Sequence, residues 1–176
     1  MVNKVDYDRV SRFSRRLLIA LALLLLVIGL LPWPSFAEIS DYLPVHAFLE
    51  AVAVVIAAMV FIVGWHTSQG RADYRTIAVA CLFLGVAILD FSHLLSYQGM
   101  PDFVTASGPD KAIDFWLAAR SLAALALLAS VVLPVVRAPP AFRFLLLIAV
   151  AVFVVLQHVL ILMFPQWLPD TFDSVI

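Results

Sequence analysis

The 176-residue chain is 64% hydrophobic and 13% charged, with a formal net charge of −1 and a mean hydropathy of +1.06. A soluble domain is about 45–50% apolar and about 25% charged. The apolar excess is more than one core of this size can hide, so the sequence predicts an integral membrane protein. A single cysteine, Cys81, excludes a disulfide framework and argues against a cysteine-based metal site; its place in mid-run marks it as a core residue.

Taken in chain order, a leader over 1–15 mixes charges of both signs. Five apolar runs follow at about 16–33, 46–66, 75–97, 112–136 and 143–165, each near the roughly 20 residues that a spanning helix needs. The expected fold class is therefore all-α, a polytopic helical bundle of about five transmembrane helices. The connections "PWPSFAEISDYLP", "TSQGRAD", "GMPDFVTASGPDK" and "RAPPAF" are short and rich in Pro, Gly, Ser and charge. A competing reading of the start is a signal peptide cleaved after "SFA", before Glu38. The long charged leader and full-length apolar run favour an uncleaved helix.

Nine of the eleven basic residues fall on one side of these spans: Lys4, Arg9, Arg12, Arg15, Arg16, Arg71, Arg75, Arg137 and Arg143. Lys111 alone lies on the other side, and Arg120 lies within a span. The positive-inside rule then predicts a cytoplasmic N-terminus and an outside C-terminus. Trp33, Trp65, Trp116 and Trp167 sit near span ends, as interfacial aromatics do.

The polar residues inside the spans are few and patterned. The second and third spans must be antiparallel neighbours, because only a short loop joins them. With residue 70 as the loop centre, Glu50 is 20 residues before it and Asp90 20 after, while His46 is 24 before and His93 23 after. At about 1.5 Å of rise per residue, the carboxylates share one depth and the imidazoles lie about one turn further out. His46/Glu50 at i,i+4 and Asp90/His93 at i,i+3 each occupy one helical face, and Tyr97 extends the second stripe. Trp116 and Arg120 in the fourth span reach similar depths from the outer side. Two carboxylates facing one arginine leave a surplus negative charge, so a proton is shared or a cation is bound.

One reading of this layer is structural, an ion-pair and hydrogen-bond network that holds the bundle together. The other is a site. Two imidazoles and two carboxylates are a nitrogen and oxygen set suited to zinc, iron or another first-row ion, with His46, Glu50, Asp90 and His93 as ligands. A further alternative is b-type haem held by His46 and His93, although adjacent carboxylates do not suit an apolar porphyrin. His158 in the fifth span is either an extra ligand or a packed histidine; His66 is interfacial. Gly99 and Pro101 read as a helix stop, with Met100 either part of that stop or a soft ligand or lid. There is no phosphate loop, nucleophile elbow or HExxH motif, and nothing indicates nucleic-acid binding.

Three patterns occur in order: His-x-x-x-Glu in "HAFLEAVAVVIAAMVFIVGW", Asp-x-x-His-x-x-x-Tyr-x-Gly-Met in "LDFSHLLSYQGM", and Trp-x-x-x-Arg in "WLAAR". Over about residues 40 to 176 the chain resembles the bacterial membrane-associated sensor domains, specifically the third type of that set. The resemblance implies a non-enzymatic sensory input module of the inner membrane; with the first span the membrane-embedded sensor domain is expected over 16–176, binding a metal ion or small ligand near the outer ends of the second and third helices. It also implies a cytoplasmic PAS, histidine-kinase, diguanylate-cyclase or phosphodiesterase output domain, in cis or in trans. The family pattern suggests further spans after "LPDTFDSVI", so the expectation is a truncated module, with a homodimer as one form of partnership. A transporter or proton-conducting subunit and a haem-bearing oxidoreductase subunit are the competing classes. Polar groups clustered toward the outer side, with apolar inner halves, favour sensing over transport.

Overall fold

The computed structural model describes residues 42–67 and 73–168, with scattered positions between 16 and 30. Every described position between 16 and 30 is helical, and these positions are labelled α1. The chain divides into two compact units, Met1–Ser40 and Asp41–Ile176. The leader, Trp33, the motif before Glu38, Arg71 and residues 169–176 lie outside the described residues, as do the expectations that rest on them.

The second unit consists of α2 (Tyr42–Thr67), α3 (Tyr74–Ser96), α4 (Pro109–Val132) and α5 (Pro140–Met163), followed by a 3-10 turn at Pro165–Trp167. No strand occurs among the described residues; two isolated bridges are the only β pairings. All four helices are long and apolar enough to cross a membrane. Their starts fall one to four residues before the apolar runs. Pro109 and Pro140 look like loop residues in the sequence but occupy first-turn positions, where the missing N–H costs nothing. At the other end, Pro134 holds Leu133 in an extended conformation, so α4 stops at Val132.

In this bundle α3 is central. Two thirds of its apolar window is buried, against 6% for α2, 28% for α4 and 17% for α5. Its core residues Cys81, Val86 and Leu89 meet Phe115, Ala119 and Leu122 of α4 and Val150 and Val154 of α5. Gly85 is the point of closest approach. A Cβ there would stand 2.5 Å from Leu122 Cδ1 and 2.9 Å from Val150 Cγ1, so a small residue lets three helices converge, as in other membrane bundles.

The basic end is tied by its loops. Asp73 caps α3 by accepting from the Thr76 amide at 2.8 Å. The Tyr74 amide donates to Val136 O at 3.3 Å, and Arg75 donates twice to Leu133 O, which fastens the α4–α5 connection to the start of α3. Arg143 lies over the Trp65 ring at 3.9 Å, linking α5 to α2. At the opposite end, Gly99 takes φ +96° in the turn after α3. Val104 also has a positive φ, 64°. Lys111 Nζ donates to Phe103 O at 2.6 Å and Thr105 O at 2.9 Å, clamping the carbonyls on either side of Val104.

Candidate ligand site between α2 and α3

His46 and Glu50 stand one turn apart on α2, on a face that meets α3 near His93. One ligand atom from each of His46, Glu50 and His93 can be chosen so that all three lie within 4.8 Å of one another. The His46 and His93 rings meet edge-on with centroids 5.8 Å apart. Tyr97, the residue that caps α3, lies 4.2 Å from the His46 ring and 6.3 Å from His93.

His93 is buried, and its Nδ1 lies 2.7 Å from Ala112 O in the first turn of α4. A carbonyl oxygen only accepts, so Nδ1 carries the proton and Nε2 is left with a lone pair. A backbone carbonyl fixing one ring nitrogen while the other stays available is the usual support for a metal-bound histidine. The half-buried Glu50 makes no hydrogen bond or ion pair with another described residue. A carboxylate inside a span without a counter-charge is costly, about 2.5–3.5 kcal/mol or more at mid-span. A bound cation relieves that cost.

Asp90 falls outside this group. Its carboxylate is 2% exposed and forms an ion pair through Oδ2 with Arg120 Nη2, while Oδ1 has no hydrogen-bond partner among the described residues. The reason is angular. At 3.6 residues per turn, positions 90 and 93 are separated by about 60° around the helix axis. That suffices to bring Asp90 to Arg120 and to leave His93 between His46 of α2 and the Ala112 carbonyl of α4. Arg120 pairs with Asp90 alone among the described carboxylates and leaves Glu50 without it. The Arg120 guanidinium lies 6.0 Å from the Trp116 ring.

The remaining candidates lie elsewhere. His158 bonds through Nε2 to Ser92 Oγ at 2.7 Å and through Nδ1 to Val154 O at 2.8 Å, and its ring lies 5.0 Å from that of Phe115. It fastens α5 to α3 and is not among the three clustered ligands. Met100 is half-buried in the turn after α3, its amide donating to Tyr97 O at 3.0 Å. His66 is exposed in the last turn of α2. The Ala112 carbonyl and the Ser92 hydroxyl escaped sequence reasoning. A carbonyl leaves no trace in residue type, and Ser92 was visible only as a polar neighbour of Asp90 and His93.

A family of membrane-associated sensor domains, MASE3, matches residues 37–174. The chain belongs to this family. The match covers α2 to α5 and the motifs that carry the three clustered residues. MASE3 is a sensor family and not a catalytic one. No curated protein and no solved structure matched the chain.

Proposed function

We propose that this MASE3 domain is a sensory input module of the bacterial inner membrane that binds a transition-metal ion through His46, Glu50 and His93. The observation that carries the proposal is the carboxylate of Glu50, unpaired among the described residues, beside two imidazoles, one of them oriented by a backbone carbonyl. Two imidazoles and one carboxylate suit zinc or ferrous iron, and both metals form such sites with coordination positions left open. The close cluster supports an ion over haem. An oxygen within 4.8 Å of both ring nitrogens would occupy the space a porphyrin between them needs.

Binding supplies a motion as well as an affinity. A tetrahedral ion with bonds of about 2.0–2.1 Å sets its ligand atoms about 3.4 Å apart, so separations of up to 4.8 Å close by up to about 1.4 Å. The outer end of α2 is drawn toward α3. The two states differ in affinity for the ion, which is what a population shift requires. The output is a cytoplasmic signalling domain, in cis or in trans, that reads the basic ends of these helices.

Elemental analysis and an absorption spectrum of the protein purified without chelator test this. Expected is near-stoichiometric metal without a strong visible band, with occupancy falling as pH falls, because protons compete for the imidazoles. A strong band lost with either histidine would establish haem instead. Metal-free protein that takes up none on titration would leave the cluster as scaffold.

A further inference from the structure

At the basic end of the bundle, a groove of about 700 Å³ runs between α2 and α3, within the range of small-molecule sites. Ile56, Val60, Val63 and Val79 form its apolar walls, and Thr67 and Arg75 stand at its mouth. From Ile56 to Thr67 is eleven residues of α2, or about 16 Å along the axis. One leaflet of a bilayer core is about 15 Å deep. The α3 wall, from Arg75 to Ala80, is about half as long, so the groove reaches from the headgroup level into one leaflet, apolar inward and cationic at its end.

Arg75 is only partly committed. Its Nε and Nη2 donate to Leu133 O at 3.3 and 3.0 Å, and Nη1 makes no hydrogen bond to a described residue. The guanidinium is held rigid by one carbonyl with donors to spare, at the end of the bundle that also carries Arg137 and Arg143. We propose that the groove holds one acyl chain of an anionic phospholipid, with Arg75 at its phosphate. Apolar walls within a membrane-spanning bundle suit a lipid tail rather than a soluble ligand, and the spare guanidinium donors suit an anionic headgroup. The site is separate from the His46–Glu50–His93 cluster and does not depend on it.

Native mass spectrometry of the purified full chain tests this, with phosphatidylglycerol and phosphatidylcholine of identical acyl chains supplied in turn. Expected is a one-to-one adduct, with phosphatidylglycerol retained about fivefold more tightly, the factor that one interfacial arginine supplies. Arg75→Gln should bring the two lipids to parity. Val79→Trp, which fills the groove and leaves Arg75 in place, should remove the adduct with both lipids. Equal retention of the two lipids, or a preference that survives Arg75→Gln, would overturn the headgroup assignment. An adduct that persists in Val79→Trp would overturn the site, and so would a lipid-free dimer that Val79→Trp dissociates, since a second copy would then occupy the groove. If Arg75→Gln does not fold, the Val79→Trp comparison decides alone.

Discussion

Replacing Arg120 by leucine should expose how much of the bundle's stability rests on one intramembrane charge pair. Asp90 is 2% exposed and its ion pair is with Arg120. Without the guanidinium, a buried carboxylate loses its counter-charge while Oδ1 already lacks a partner among the described residues. Breaking a buried pair from one side costs about 3–5 kcal/mol. The Arg120 side chain is 44% exposed, so the lower end applies, about 3 kcal/mol. In a chain of this size each kcal/mol moves the unfolding midpoint by about 2–4 °C, which gives a loss on the order of 6–12 °C. Asp90→Leu should cost a similar amount by stranding the guanidinium. The double variant removes both charges and should recover most of the loss, because an apolar pair replaces an ionic one. Thermal unfolding of the four proteins in one detergent, followed by circular dichroism, completes the cycle. Coupling of about 4–5 kcal/mol is expected, since each single loss is about 3 kcal/mol and the double variant keeps little of either. If the two losses simply add within about 0.5 kcal/mol, Arg120 and Asp90 do not act as a pair and the charge assignment is wrong.

Three other substitutions probe the frame around the site. Gly85→Leu should destabilise the bundle by well over about 1–3 kcal/mol, the usual cost of overpacking, because even a Cβ would meet Leu122 and Val150 below van der Waals distance; an unchanged melting midpoint would mean the three helices do not converge there. Val104→Gly should stabilise by about 1 kcal/mol, since a β-branched residue at φ 64° is strained and this side chain is 66% exposed and contributes little burial; a lower midpoint would refute the strain. Ser92→Ala should cost about 1–3 kcal/mol by leaving His158 Nε2 without its partner, yet metal affinity should hold; loss of metal in this variant would bring His158 into the site.

Much of the fold could be read from the sequence because a bilayer imposes a single length on every helix. The helix ends were less legible. Pro109 and Pro140 signal a break in composition, while their chemistry suits a helix start. Depth arithmetic placed His46, Glu50, Asp90 and His93 in one layer, and it did so from rise alone. Rise carries no azimuth between helices, so it does not separate His93, beside His46, from Asp90, paired with Arg120. The carbonyl that orients His93 was beyond reach for a different reason. It belongs to the backbone of Ala112 and depends on how the loop over 97–108 returns α4 against α3.

The most direct test of the metal site is a cobalt(II) titration of the purified full chain, read through the visible ligand-field bands that tetrahedral nitrogen and oxygen coordination gives. Expected are bands that saturate at one equivalent and disappear in His46→Ala, Glu50→Gln and His93→Ala, but persist in Asp90→Asn and His158→Ala. Parent protein that develops no bands, or bands that survive the loss of either clustered imidazole, would contradict metal binding by these three residues.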